Sequence, residues 1–598
     1  MMVGRDLSRL YPTSDAQVGE PLLVLRDWQV GDMVRGVDLD VRRGEVVGVA
    51  GLVGSGTTEL AMSLFGALQP SSGSALLDGR DIGGHNPRRN MDRGAAMVPE
   101  DRRSEALFET LSVRENIALS SLSSWSRLSW VQRKHEQREV ESLLERLAVA
   151  STGPEQRVGE LSGGNQQKVV IGRWLARGAD LYIFAEPTVG VDVGSKVEIY
   201  QQMVDIASRG AAVVMVSSDF DELLQMCDRV VVVVNGRITR DVPRGEADLE
   251  ELTYWASGGG EPQEAGAAAA ALVGRRSDRM RWVRSPRGLT ITAMVLILLV
   301  IGVMAPRFFA PDNLFDVLKQ GSVVSVIAVA LTAALAVGGF DLSVGATGQL
   351  VTNIVAGSVI GGASTPTAIG TGIVVGAVVG AINGIVIVLL GVPSFVATLG
   401  MLFLLLGVTL QVNGGLTHTL SVTGNEGFLM LGQGYMGPVP VILVIVAAVA
   451  LLLGSVLKRT ALGMRLYAVG GNPRAAALRG VSARRMIFLS FLLSGAVAGF
   501  AGVLQASYSS GSTAADASLN LLVAALSAAF LGSTISKSQQ FDVLGSAIAA
   551  MFIAAVANGL ILNGLSDLVL PGVQGAILVG AVLVAVVRER RLGQVTVF

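Results

Sequence analysis

The chain has 598 residues, 51% hydrophobic and 16% charged, with a formal net charge of −1. Its basic residues flank apolar segments without interleaved aromatics, so no nucleic acid partner is expected. The single cysteine, Cys227, excludes an intramolecular disulfide and reads as a small buried hydrophobe, and without a CxxC or Cys/His cluster no metal held by protein alone is expected.

In chain order, the start, MMVGRDLSRLYPTSD, lacks the apolar stretch of a signal peptide, so the soluble part is expected to stay where it is made, in a reducing compartment. Residues 21–255 mix charge and apolarity as a soluble α/β domain does. There GEVVGVAG (44–51) predicts a buried strand, GLVGSGTTEL (51–60) has the glycine spacing of a phosphate loop, and TELAMSLFGAL predicts a helix. That order suits anion binding, because backbone N–H groups and the helix N-terminus point at the ligand. Yet Thr57 stands where such a loop carries its lysine. LSGGNQQK (161–168) comes next as a highly specific octapeptide, followed by apolar strands at LYIFAEPT (181–188), which ends in an acid, and AAVVMVSSD (211–219). The Gly- and Ala-rich stretch within 256–283 reads as a linker.

From 284 to 591 the chain turns apolar, and about ten segments of bilayer-spanning length can be drawn: 289–305, 318–337, 344–363, 367–390, 394–412, 438–457, 485–507, 519–535, 541–563 and 568–587. Arg275, Arg276, Arg279, Arg281, Arg284 and Arg287 precede the first; Lys458, Arg459, Arg465, Arg474, Arg479, Arg484 and Arg485 follow the sixth; Arg588, Arg590 and Arg591 follow the last. An even count puts all these basic clusters on one side, the cytoplasmic one, and the loop 413–437, without Lys or Arg, outside. Gly372, Gly376, Gly380 and Gly384 recur every fourth residue and lay a flat strip on one helix, either for close packing or to line a pore. Gln349, Asn353, Asn383, Gln411 and Asn558 are polar groups at membrane depth, each a pathway candidate or a partner for a neighbouring helix. Asp341, in GGFDLSVG, is ionisable beside apolar spans and so a functional candidate unless its loop lies in water. A path so poor in charge suits a neutral polar solute better than an ion.

With LSGGNQQK in place, residues 21–255 resemble the ATP-binding cassette of transporters, whose motifs appear here in that family's order and spacing. The resemblance implies an α/β P-loop ATPase fold followed by an all-α polytopic membrane domain, with ATP and Mg2+ as cofactors. In such a cassette the signature of one domain closes over ATP held by the phosphate loop of another. Position by position, it implies a nucleotide site in cis at Gly51, Gly54, Ser55, Gly56, Thr57, Thr58, Glu100, Ala185 and Ser218, with Glu186 as catalytic glutamate. Ser162, Gly163, Gly164, Gln166 and Asp192 would serve nucleotide held in trans. The cis site departs from the pattern: Thr57 replaces lysine, Glu100 glutamine, Ala185 the magnesium aspartate and Ser218 the switch histidine. A charged hydrogen bond contributes about 1.5–3 kcal/mol, and each 1.36 kcal/mol of barrier is about tenfold in rate. Losing several is therefore expected to silence hydrolysis, and Glu186 with it, while the backbone nest and Thr58 keep some capacity to bind.

The signature is undamaged, so the resemblance implies a partner ATPase domain with intact Walker A and B motifs, on a separate chain. LSGGNQQK, VPEDRR (98–103) and AEPTVGVDVG are similar to the second ATPase domain of monosaccharide importers of the ribose type, and residues 1–20 resemble the linker entering it. APRFFAPDNLFDVL, GGFDLSVG, GVPSFVATLG and GMRLYAVGGNPRAAALRGVS resemble the permeases of the same importers, whereas LGSTISKSQQFDVLGS (531–546) departs from them. The expectation is a fused ATPase–permease in a prokaryotic cytoplasmic membrane, working with an extracytoplasmic solute-binding protein and a second permease half. A self-sufficient homodimeric ATPase and a non-hydrolysing, nucleotide-gated facilitator remain as alternatives. The loop GNPRAAALRG (471–480), with Asn472, Pro473, Arg474 and Arg479, is expected to form a short helix; it docks near Glu100 and Asp101 with an arginine answering their charge, or merely holds topology. Trp28 is the nearest aromatic that would stack on adenine, or else a core residue.

Overall fold

The computed structural model describes residues 11–12, 18–258, 286–413, 417–514, 517–536, 540–565 and 569–591. The start of the chain and nearly all of the expected linker thus lie outside the described residues. Two compact units emerge: Met1–Val273 with Gly471–Ser482, and Gly274–Gly470 with Ala483–Phe598. The short loop expected within the permease therefore belongs structurally to the first unit.

That unit begins with β1 (Pro21–Val30), β2 (Val34–Arg42), β3 (Val46–Ala50), α1 (Thr57–Phe65), β4 (Ser72–Leu77), β5 (Arg80–Asp81), α2 (Pro87–Asp92) and β6 (Ala95–Val98). It continues with α3 (Val113–Ala118), β7 (Ser126–Arg127), β8 (Trp130–Val131), α4 (Arg133–Arg146), α5 (Gly163–Arg177) and β9 (Leu181–Ala185). Then follow α6 (Val193–Ser208), β10 (Ala212–Ser217), α7 (Phe220–Met226), β11 (Arg229–Val234), β12 (Arg237–Pro243) and α8 (Leu249–Ala256). One sheet is antiparallel in the order β2-β1-β4-β5; the other runs β12-β11-β3-β10-β9-β6. Within the second, β11, β3, β10, β9 and β6 pair in parallel and β12 closes one edge antiparallel. Strands β3, β6, β9 and β10 are buried along their whole length, as covering both faces of a parallel sheet requires, which is why their sequences are unbroken apolar runs. The carboxyl ends of these strands line one edge, the usual place for ligands in such sheets. Trp28 is fully buried and its Nε1 donates to Ser63 Oγ at 2.9 Å, so it is core and not available to adenine.

The second unit comprises α9 (Pro286–Met304), α10 (Pro311–Leu335), α11 (Val344–Ile360), α12 (Thr365–Leu389), α13 (Ser394–Asn413) and α14 (Glu426–Gln433). A hairpin of β13 (Tyr435–Met436) and β14 (Val439–Pro440) leads to α15 (Val441–Arg459) and α16 (Ala461–Gly471). After α17 (Pro473–Leu478), which belongs to the first unit, come α18 (Ala483–Tyr508), α19 (Ala517–Ile535), α20 (Val543–Leu562) and α21 (Leu570–Arg591). Every predicted span holds a helix. Among the described residues 7 of these helices are long and apolar enough to cross a membrane, while Thr290–Met304, Val344–Ile360 and Leu570–Leu583 are shorter apolar stretches.

The glycine strip of α12 packs on α18. A Cβ on Gly376 would meet the Gly495 carbonyl oxygen, one on Gly380 that of Phe491, and, reciprocally, Cβ atoms on Gly495 and Gly499 would meet the carbonyls of Gly376 and Gly372. Backbone thus lies on backbone, the packing reading of the strip. α18 supplies its own pair of small residues four apart, Gly495 and Gly499, which gives the strip its partner.

Candidate functional site

The phosphate loop leaves β3 at Ala50 and enters α1 at Thr57. Gly54 (φ 86°) and Gly56 (φ 100°) take left-handed conformations that disfavour a side chain, and a Cβ on Gly56 would also strike the Met33 carbonyl. No side chain caps α1, so its first N–H groups are open to an anion. Thr58 is exposed, and Ser55 Oγ is buried without a hydrogen-bond partner among the described residues. These features fit a triphosphate held through backbone and hydroxyl groups. Thr57 is buried, with its methyl carbon 2.8 Å from where a Gly51 Cβ would be, and brings no cation.

Residues 99–100 and 185–186 leave neighbouring strands, since Val98 pairs with Phe184 in the β6–β9 register. Glu186 has φ 48°, an uncommon conformation for a residue with a side chain. Its N–H donates to Val216 O at 2.9 Å and its Oε1 accepts from Ser218 N at 2.7 Å. Burial pushes its pKa up, and the Glu100 carboxylate adds to the shift. Glu186, expected from the sequence as the catalytic glutamate, is thus held by the backbone N–H of Ser218. Ala185 has no side-chain oxygen, and the carboxylates of Glu100 and Glu186 lie close enough to repel each other.

The signature opens α5. Ser162 is its exposed N-cap residue, with Oγ accepting from Asn165 Nδ2 at 2.8 Å. A Cβ on Gly163 would lie 2.7 Å from the flexible end of Arg102 and 3.0 Å from Gly190 O, a tight fit, and one on Gly164 would run into Ser195, so close approach disfavours a side chain most at Gly164. Exposed Asp192 caps α6, accepting from Ser195 N at 3.0 Å and Ser195 Oγ at 2.8 Å, which holds its pKa down. Gln166 departs from expectation: it is buried and its Nε2 donates to Val158 O at 3.3 Å, because the phase of a helix starting at Gly163 turns it toward the protein rather than a ligand.

Sequence reasoning missed two supports of this loop. Arg102 donates to Val189 O at 2.9 Å and Gly190 O at 3.2 Å, tying the segment after Glu100 to the loop before Asp192. Buried Glu222 accepts from Thr188 Oγ1, from Lys196 Nζ at 2.8 Å and from Ser217 Oγ at 3.3 Å. Arg102 lies within VPEDRR, which the sequence marks only by resemblance, and no local pattern marks Glu222.

Within the same unit, α17 is the short helix expected. Asn472 caps it, accepting from Ala475 N at 2.9 Å, while its Nδ2 donates to Arg103 O and Ser104 O, both at 3.0 Å, and to Leu107 O at 3.2 Å. Those carbonyls belong to a five-residue turn, Arg102–Ala106, and its end. Asp101 caps that turn, accepting from Arg103 N at 2.9 Å, Ser104 N at 3.2 Å and Ser104 Oγ at 2.6 Å, so its acceptor capacity is engaged locally. The expected pairing of an arginine with Glu100 or Asp101 is not what forms. Arg479 is buried with its guanidinium 4.6 Å from the Trp174 ring centre, and burial next to Arg173 pushes its pKa well down. Exposed Arg474 is felt instead by Glu105. An amide and a ring, rather than an ion pair, seat the segment.

In the helical unit Asp341, Gln349, Asn353 and Asn383 are all buried. Gln349 Nε2 donates to Thr513 O at 2.8 Å, Asn353 Nδ2 to Gln349 O at 2.9 Å, and half-buried Asn558 accepts from Asn313 Nδ2 at 3.0 Å. Gln411 is exposed near the end of α13. Among the described residues no group of three or more His, Cys, Asp or Glu is arranged to hold a metal.

A family model described as ABC transporter matches residues 34–189, and one described as the permease component of a branched-chain amino acid transport system matches residues 313–587. The ribose import ATP-binding protein RbsA of Pseudomonas putida is 42% identical over 258 residues, 43% of this chain and 50% of that protein. RbsA 1 of Rubrobacter xylanophilus is 43% identical over 262 residues, 44% and 52% of the two chains, and RbsA of Bacillus subtilis is 40% identical over 258 residues, 43% and 52%. The chain therefore spans about half the length of the curated relatives it matches. A nucleotide-free ATP-binding cassette from an ABC transporter aligns with TM-score 0.34 at 22% identity, over 39% of this chain and 95% of that one. With apolar helices under the second family match, the chain is a multi-pass membrane protein with a cytoplasmic ATPase. It is an ABC transporter protein that joins an ATPase domain to a transport permease component in one polypeptide.

Proposed function

We propose that this chain is a subunit of an ATP-driven importer for a monosaccharide or similar neutral polar solute, and that it works with a separate ATPase domain. It supplies a permease half and the signature, Ser162–Gly164 with Asp192, to an ATP site whose lysine, magnesium aspartate and switch histidine come from the partner. The observation that carries the reading is the segregation of damage. Glu100, Ala185 and Ser218 lie beside Glu186 and Thr57 opens the helix after the phosphate loop, while Ser162 and Asp192 present exposed caps at the starts of α5 and α6. In its own site the backbone nest, Ser55 and Thr58 would hold the phosphates of ATP, and Thr58, Glu100 and Glu186 would face Mg2+, which screens phosphate charge when bound. With threonine in the lysine position and alanine in the aspartate position, this site binds rather than cleaves. An extracytoplasmic solute-binding protein would deliver the solute and a second permease half in the bilayer would complete the path. The ribose named for the relatives suggests the solute class.

The test is ATP turnover by the chain reconstituted with the partner ATPase. Ser162→Arg is expected to lower turnover by several powers of ten and Glu186→Gln to leave it unchanged. Loss of turnover in Glu186→Gln, or its survival in Ser162→Arg, overturns the proposal.

A further inference from the structure

Residues 336–343, which join α10 to α11, carry a carboxylate into the interior of the helical unit. Asp341 is 1% exposed. Its Oδ1 accepts from Ser343 N at 3.1 Å and Ser343 Oγ at 2.7 Å, and its Oδ2 from Ser494 Oγ of α18 at 2.9 Å. Among the described residues no Lys, Arg or His forms an ion pair with it. An ionised carboxylate buried among two hydroxyls and one backbone N–H keeps its full charge, and interiors tolerate this poorly unless a counter-charge is present.

Asn383 of α12 shows where a counter-charge would find a further ligand. Its Nδ2 donates to Ser343 Oγ at 2.9 Å. Ser343 has one hydroxyl proton, already given to Asp341, so toward Asn383 it can only accept, and this fixes which way the amide faces. The consequence is that Asn383 Oδ1 is buried and without a hydrogen-bond partner, in a residue 1% exposed. An orphaned acceptor thus sits one hydroxyl away from an uncompensated carboxylate. The donors here are all oxygen, with a single negative charge, the chemistry of a hard monovalent ion; a divalent ion draws more carboxylates, and a soft metal draws sulfur or imidazole. The glycine contact between α12 and α18 holds Asn383 and Ser494 on helices fixed against each other.

We propose that Asp341, Ser343, Asn383 and Ser494 form a buried site for an alkali cation, sodium by its donor chemistry, which pins the α10–α11 connection to α12 and α18. The proposal needs neither a partner ATPase nor a transported solute, so it stands or falls separately from the import reading.

The experiment uses the full-length chain in lipid nanodiscs, with sodium, potassium or choline chloride at one ionic strength. Binding is read with radioactive sodium and stability by thermal unfolding. Saturable binding of one sodium per chain is expected, with an unfolding midpoint that rises with the logarithm of sodium concentration above the dissociation constant. Asp341→Asn is expected to abolish both. Should that variant fail to fold, Asn383→Ala and Ser494→Ala are expected to weaken binding at least tenfold while keeping the midpoint measured in choline near that of the wild type. Displacement of sodium by potassium supports the site as an alkali-cation site. The absence of saturable binding, binding unchanged in all these variants, or an Asp341→Asn protein as stable in choline as the wild type is in sodium overturns it; the last result would mean a protonated carboxyl.

Discussion

Replacing Asn472 with alanine removes one amide that does two jobs. Its two hydrogens serve the carbonyls of Arg103, Ser104 and Leu107, and its oxygen caps α17. Counting the donor side as two net hydrogen bonds of about 1 kcal/mol each, and the cap as about 1 kcal/mol, the loss is about 3 kcal/mol of local stability. At roughly 1.4 kcal/mol per tenfold change, that is about a hundredfold more frequent opening. Hydrogen–deuterium exchange should show it as lost protection in residues 102–108 and 473–481 together, with strand 212–217 unchanged. Asn472→Asp separates the two jobs, since aspartate caps a helix as well as asparagine does but sets carboxylate oxygen against three carbonyl oxygens. It should keep protection in 475–478 and lose it in 102–108. Unchanged exchange in 102–108 in either variant would refute the reasoning, because the segment would then be held by something other than this amide.

Other expectations can be checked in the same preparations. Gly376→Ala drives a methyl into the Gly495 carbonyl and should lower stability by about 1–3 kcal/mol in thermal unfolding, whereas Gly370→Ala, with nothing within 4 Å of its Cβ, should be silent. Arg479→Leu should leave the stability of the first unit unchanged or raise it, since an unpaired buried charge gives way to an apolar side chain, while Arg479→Glu should expose 473–481 to proteolysis. The Ser104 hydroxyl and the turn's N–H groups hold the Asp101 carboxyl below its ordinary pKa, so the stability they lend is complete above the ordinary value of about 3.9 and lost as pH falls through the lower folded value. Protection in 102–106, taken relative to the intrinsic exchange rate at each pH, should accordingly stay flat from neutral pH to about 4 and fall only below it.

Features written as local patterns were legible in the sequence: the glycine loop between strand and helix, LSGGNQQK, the apolar spans, the four-residue glycine period of α12 and the short helix at 473–478. Features created by contact between distant segments were not. Arg102 reaches Val189 and Gly190, and Glu222 gathers Thr188 and Lys196 beside its near neighbour Ser217, so that all but the last of these contacts cross gaps that no local window of sequence spans. Arg479 was expected to seek an acid because charge is visible in sequence, but what it meets is the Trp174 ring, whose place on α5 fixes the seat. Gln166 went astray for a different reason: motif membership suggested a ligand contact, while helix phase buried the side chain. The helix Glu426–Gln433, inside the loop expected outside the membrane, was too short to give a periodic signal.

The central claim is that catalytic groups missing at the strand ends, and nothing else, keep this chain from cleaving ATP unaided. It is tested most directly by Mg2+-dependent ATP hydrolysis of the purified chain beside a variant carrying Thr57→Lys, Glu100→Gln, Ala185→Asp and Ser218→His. The account predicts background turnover for the unaltered chain, a clear gain for the variant, and loss of that gain when Ser162→Arg is added. Brisk hydrolysis by the unaltered chain, indifferent to Ser162→Arg, would contradict it.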